Sequence, residues 1–268
     1  MPNLSTPDLE ILLRIAEAAR AYDGQPPFSD QSLVDLRTGE REAILIADLA
    51  AAIVSPTEAE FVVAPDARGR GHGTALLERI IAGSTGELRV WAHGDHPAAR
   101  RLARSHDLGA VRELLQLRAP VPDVPPVRTE RFRRGEDEES WLALNARAFA
   151  LHPEQGSVSR ADLDQLMSES WFSSDDFLVV RDGEEMIGFC WLKVEVELGE
   201  FYVVGVDPAR QREGLGRRLM DAGFARLAER GIRTASLYVE ADNAPALHLY
   251  RSLGFVDHSV DIQYSLTR

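Results

Sequence analysis

The chain has 268 residues, 44% of them hydrophobic and 27% charged, with a formal net charge of −13. That is a soluble globular composition, long enough for one large or two ordinary domains. The acidic balance excludes a general nucleic-acid binder, which needs positive surface to displace counterions. A single cysteine, Cys190, excludes an intrachain disulfide or a thiol metal cluster.

The opening "MPNLSTPDLEILLRIAEAARAY" reads as an amphipathic helix, since it lacks the basic and apolar regions of a signal peptide. No apolar stretch reaches the ~20 residues of a membrane span, so a cytoplasmic protein without a membrane partner is expected. "REAILIADLAAAIVS" (41–55) predicts a hairpin. "FVVAP" (61–65) predicts a strand that runs through "RGRGHG" (68–73) into a helix. "GELRVWAHGD" (86–95) is the next strand, "AARRLARSHDLGA" (98–110) a short helix, and "VRELLQLRAP" (111–120) a last strand. The proline-rich "RAPVPDVPPVRTER" (118–131) suits neither helix nor interior strand and predicts a linker.

The second half repeats this punctuation. "DDFLVVRDGEEMIGFCWLKVEVE" (175–197) predicts a hairpin, with Cys190 a core residue. "FYVVGVDPAR" leads through "QREGLG" (211–216) into a helix whose apolar stripe holds Leu215, Leu219, Met220, Phe224, Leu227 and Ala228, ended by Gly231. "RTASLYVEADN", "APALHLYRSLGF" and "HSVDIQYSL" then predict strand, helix and strand. The expected fold class is α/β, an α+β mixed sheet in two tandem domains. These are residues 1–119 and 131–268, joined by a linker at 120–130. The period is too long for a solenoid.

A helix N-terminus offers unpaired amides and a positive dipole end to phosphate. Gly214 and Gly216 would let oxygens approach the main chain, and Arg210, Arg212, Arg217 and Arg218 could add charge-assisted contacts. The alternative is a solvated basic helix start whose glycines serve backbone geometry alone. The spacing fits neither the P-loop nor the dinucleotide fingerprint.

"QREGLG" does resemble the Q/R-x-x-G-x-G/A signature of the GNAT acetyltransferase superfamily, and "YVEADNAPALHLYRSLGF" (238–255) resembles its second cofactor segment. The resemblance implies acetyl-CoA as cosubstrate, and no metal. It places the pyrophosphate on Gln211, Arg212, Glu213, Gly214, Leu215, Gly216 and Arg217, with Val204, Gly205 and Val206 along the pantetheine arm. Asn243, Ala244, Pro245, Ala246, Leu247 and His248 form the second segment. In the first half the corresponding stretches are Phe61, Val62 and Val63, then Gly69, Arg70, Gly71, His72, Gly73 and Thr74. There His96 replaces Asn243 and Ala103 replaces Tyr250, so the first domain is expected to be degenerate and non-catalytic. It either binds acetyl-CoA or serves as a structural partner.

"AFALHPEQG" (148–156), "FCWLKV" (189–194), "GEFYVVGVDPARQREGLG" (199–216), "LYVEADNAPAL" (237–247), "VWAHGDHPAAR" (90–100) and "SVDIQYSL" (259–266) resemble the mycothiol synthases, a tandem-GNAT family. That resemblance implies acetyl transfer to the cysteinyl amine of Cys-GlcN-Ins, the last step of mycothiol biosynthesis, by a monomer. It makes Glu200 the general base and Tyr250 the acid, and Asp30, Glu154, Lys193, Glu200 and Tyr238 the acceptor contacts. Asp30 stands where that family tends to have glutamate, and helix capping is its alternative role. Lys193 is the sole lysine among 30 basic residues. His152 and Trp171 read as packing residues. Another small amine or a peptide N-terminus as acceptor, or a non-catalytic acyl-CoA-binding protein, are the other readings.

Overall fold

The structure, a computed structural model, describes residues 6–125, 127–150 and 155–266. In chain order it contains α1 (Thr6–Asp23), α2 (Asp30–Thr38), β1 (Glu42–Ile46), β2 (Ala50–Val54), β3 (Glu58–Val63), α3 (His72–Gly83), β4 (Leu88–Ala92), α4 (Pro97–Ser105) and β5 (Gly109–Pro120). There follow β6 (Glu130–Arg131), α5 (Glu138–Ala148), α6 (Arg160–Leu166), β7 (Phe177–Asp182), β8 (Glu185–Val194), β9 (Leu198–Val206), α7 (Leu215–Glu229), β10 (Thr234–Glu240), α8 (Ala244–Ser252) and β11 (Val256–Leu266). None of the described helices is long and apolar enough to cross a membrane.

The chain forms two compact units. One takes the chain up to Leu115 together with Glu240–Asp242 and the segment from Ser259 onward; the other takes Gln116–Val239 and Asn243–His258. The division is not linear: it first falls inside β5, between Leu115 and Gln116, and two later segments, Glu240–Asp242 and that from Ser259 onward, return to the first unit. From Ser259 onward, β11 belongs to the first unit, where Ile262–Leu266 pairs antiparallel with β4.

In the first unit β1, β2 and β3 are antiparallel and β3 is parallel to β4. The run "AAAIV" of β2 is buried on both faces. Ala50 and Ala52 pack with Leu76, Leu77 and Ile80 of α3. Ala51 and Ile53 pack with Leu12, Ile15 and Ala19 of α1. The two-residue alternation of strand side chains therefore builds two cores from one strand.

In the second unit β6, β7, β8 and β9 are antiparallel, and β9 is parallel to β10. An aromatic core fills one face: Trp191 stacks on Phe177 at 4.5 Å and meets Trp141 edge-on at 5.8 Å, with Phe189 beside them. Helix α7 covers the other face through Leu219, Phe224 and Leu227, all buried. Gly199 lets it come close, because a Cβ there would run into the Leu227 side chain. Tyr202 is a bulge in β9: Trp191 pairs with Val203 and Leu192 with Phe201, leaving Tyr202 unmatched.

Candidate active site

Each unit contains a fork. In the second, the parallel pair β9–β10 matches Leu198 with Thr234, Gly199 with Ala235 and Glu200 with Ser236, and pairing ends there although both strands continue. In the first, β3–β4 matches Glu58 with Arg89, Ala59 with Val90 and Glu60 with Trp91, and pairing ends likewise. The strand ends open on the fork side are Val204–Val206 and Phe61–Val63, each still paired on its other edge, with β8 and β2 respectively. Each runs through a short 3-10 turn into a helix start.

Those helix starts share one backbone form. Gly214 caps α7 with φ 80°, and Gly71 caps α3 with φ 88°; Arg212 (φ 67°) and Gly69 (φ 74°) precede them in the same left-handed region. Neither cap has a side chain to satisfy the first-turn amides, whereas Ser29, Ser159 and Asn243 cap α2, α6 and α8 with side-chain oxygens. A Cβ on Gly71 or Gly214 would meet nothing within 4 Å, so the space above the amides is open. The arrangement fits a pyrophosphate held by main-chain donors of Gly214–Arg217 and Gly71–Thr74.

Most arginines around the second turn are engaged elsewhere. Arg210 pairs with Asp182 (2.8 Å) and Glu213 (3.0 Å), Arg217 with Asp221 (3.1 Å), and Arg218 donates to the Arg128 carbonyl (2.7 Å). In the first unit Arg68 grips Asp23 through two bonds of 2.7 and 2.6 Å. These arginines are held by carboxylates or a carbonyl in the structure, whereas the first-turn amides have no side-chain cap. Asn243 spends its side-chain oxygen on the Ala246 amide (3.2 Å), which leaves the Ala244–His248 turn as the surface offered by the second segment.

Strand register gathers the polar residues of the second unit on one face. Phe201 packs on Phe224 of α7, so its neighbour Glu200 lies on the opposite face. Lys193 is its partner on β8 and Ser236 its partner on β10, and Tyr238 follows Ser236 by two residues. Lys193 is 8% exposed, lies 3.8 Å from Glu195 and 5.6 Å from the Trp171 ring centre. Trp171, expected only to pack, therefore also faces an ammonium. Tyr238 Oη accepts a 2.7 Å bond from Gln116 Nε2. Burial, aided by the neighbouring Cys190 thiol, pushes the Tyr250 phenol up to about 12. Burial likewise pushes Cys190 above its ordinary range, which makes it an inert core thiol.

Asp30 is the exposed first residue of α2 in the first unit, and the cap is Ser29, whose Oγ accepts from Ser32 N (3.2 Å); the capping alternative for Asp30 is thereby corrected. Glu154 and His152 lie outside the described residues.

The first unit holds a cavity of about 490 Å3, within the range of small-ligand sites. Its walls include Val62, Val63, the Gly71–Thr74 turn, Ala103 and Tyr264. Its fork carboxylate is already occupied. Glu60, 2% exposed, accepts from Ser29 N (2.7 Å), Ser29 Oγ (2.8 Å) and Ser32 Oγ (2.8 Å). His93 lies 3.6 Å from it and 2.9 Å from Asp261 of β11. Burial alone would raise Glu60, but His93 and these donors hold it at about 2. Burial alone would lower His93, but Asp261 and Glu60 lift it to about 10.

Residues 136–255 match the model of the acetyltransferase (GNAT) family. A mycothiol acetyltransferase of Kocuria rhizophila is 43% identical over 98% of this chain and 97% of its own length. Another, from Clavibacter sepedonicus, is 46% identical over 94% and 90%. The chain belongs to the mycothiol acetyltransferase family. A solved tandem GNAT protein from the clavulanic acid biosynthesis pathway superposes with a TM-score of 0.69 over 98% of this chain and 96% of its own, at 14% identity, a likeness of fold. Like the rest of the mycothiol acetyltransferases, the chain is an acetyl-CoA-dependent N-acetyltransferase. Gln116, Glu60, His93 and Asp261 escaped the motif reading. Their one signal is a polar residue inside an apolar strand, as in "LLQLR" and "EFVV".

Proposed function

We propose that the second unit transfers acetyl from acetyl-CoA to the cysteinyl amine of Cys-GlcN-Ins, completing mycothiol. The observation that carries this reading is the row Lys193, Glu200, Ser236 and Tyr238 on one face at the β9–β10 fork, below a glycine-capped helix start.

Bound acetyl-CoA supplies an acyl thioester. A free α-amino group titrates near roughly 8, so it arrives largely protonated. Glu200 takes one amine proton, directly or through water, and the nitrogen lone pair then attacks the acyl carbon as the carbon–sulfur bond breaks. Tyr250 stabilises the departing sulfur as a hydrogen-bond donor. With the phenol at about 12 and a thiol near 8.5, full transfer of its proton is uphill by roughly 5 kcal/mol. The product amide releases the second amine proton, which neutralises the thiolate. Lys193 and Tyr238 contact the acceptor, with Glu154 of the same unit as the family resemblance implies.

The first unit binds acetyl-CoA without transferring it. Its open glycine turn and apolar cavity support binding. Its fork carboxylate faces a protonated His93 and three other donors, and Ala103 stands where the second unit has Tyr250; both features remove the chemistry.

The test is turnover against a panel of amines, with Glu200→Gln as control. Cys-GlcN-Ins should be preferred, and Glu200→Gln should lower kcat by about 10²–10⁴ with acetyl-CoA affinity kept. Preference for another amine overturns the acceptor assignment; an undiminished Glu200→Gln rate removes the base.

A further inference from the structure

Gln116 belongs to none of the cofactor segments. It sits on β5 between Leu115 and Leu117, all three buried, where an aliphatic side chain would fill the space without a polar group to satisfy. Its Nε2 donates to Tyr238 Oη at 2.7 Å. An amide nitrogen can only donate, so the phenol oxygen is the acceptor in this bond and its own proton is not used in it. Tyr238 shares the face of Ser236, Glu200 and Lys193. A tyrosine held in this way presents an O–H donor on the face where the amine reacts.

We propose that Gln116 is a positioning residue that fixes Tyr238 as a hydrogen-bond donor to an oxygen of the acceptor, a hydroxyl or the cysteinyl carbonyl. The inference rests on the reading that the acceptor occupies this face. It accounts for a buried amide in an apolar strand: Gln116 supplies an N–H aimed at the phenol oxygen. An acceptor offering only an ammonium would gain nothing from it.

Gln116→Glu separates direction from packing. The side chains are nearly isosteric, but at about pH 8 a carboxylate accepts the Tyr238 proton and turns the bond around. Steady-state kinetics with Cys-GlcN-Ins should show the acceptor KM rising about fivefold to tenfold, with kcat and the acetyl-CoA KM within about twofold. Tyr238→Phe should give a rise of the same size, and the double variant should be no worse than Tyr238→Phe alone. Gln116→Leu, a second variant that buries no charge, should raise the acceptor KM less than Gln116→Glu. A wild-type acceptor KM in Gln116→Glu overturns the proposal. So does a loss shared by kcat and both KM values with a lowered Tm, which would make Gln116 part of the scaffold. A wild-type acceptor KM in Tyr238→Phe is a separate failure, that of the reading that Tyr238 touches the acceptor.

Discussion

Gly71 and Gly214 hold the same left-handed conformation, φ 88° and φ 80°, at the first cap of α3 and of α7. Each follows a fork between parallel strands, and each leaves the first-turn amides without a side-chain partner. A β-carbon at either position finds open space, so substitution acts through backbone strain and through the methyl group placed above the amides. Gly214→Ala should raise the acetyl-CoA KM about tenfold, given a strain of roughly 1–2 kcal/mol. Gly71→Ala should leave kcat near wild type and weaken one of two acetyl-CoA sites about tenfold. Titration calorimetry reads this directly, with two sites in the parent and one of the two weakened in Gly71→Ala. A stoichiometry of one in the parent would show that the first cavity holds no cofactor.

Tyr250 should matter to the rate and little to cofactor affinity. Removing its hydroxyl leaves the ring, which meets Phe255 at 6.0 Å, and takes away only the donor. Tyr250→Phe should lower kcat about tenfold to a hundredfold while the Kd for acetyl-CoA stays within about twofold. Because the phenol lies near 12, no alkaline limb belonging to Tyr250 should appear below about pH 10 in the wild-type rate profile. Equal rates for both proteins would remove the hydroxyl from the chemistry.

The partly buried His93 makes the first unit's stability depend on pH in a defined direction. Its folded value, about 10, lies above the ordinary 6.5, so its contribution is complete below about 6.5 and is lost as pH rises toward 10. Glu60 runs the other way: held at about 2 against 4.5, it contributes fully above 4.5 and loses that contribution as pH falls toward 2. His93→Gln leaves Glu60 and Asp261 buried without their cation and should cost about 3 kcal/mol near pH 6. Thermal unfolding of both proteins between pH 5 and about 10 checks this. The Tm difference should be largest at the acidic end and close toward the basic end. A difference independent of pH would mean that His93 is neutral in the folded chain.

The sequence carried the fold in its punctuation. Glycine turns after apolar runs and the α7 stripe from Leu215 to Leu227 each reappear as structure, because each depends on local geometry. The crossing of β11 into the first unit was not legible: "HSVDIQYSL" alternates as any edge strand does, and which strand it pairs with is set by distant residues. The motif residues were legible for the same local reason. The Gln116–Tyr238 bond and the Glu60–His93–Asp261 cluster were not, since they join positions 122, 33 and 168 residues apart in the chain, where no spacing rule applies.

Because Asp261 and Tyr264 arrive on the final strand, the ribosome delivers the pieces that finish the earlier unit only after it has delivered the whole of the later one. The β4 edge of the earlier unit therefore stays open while the later unit is being made. The unit begun first is thus closed last, by its own returning strand.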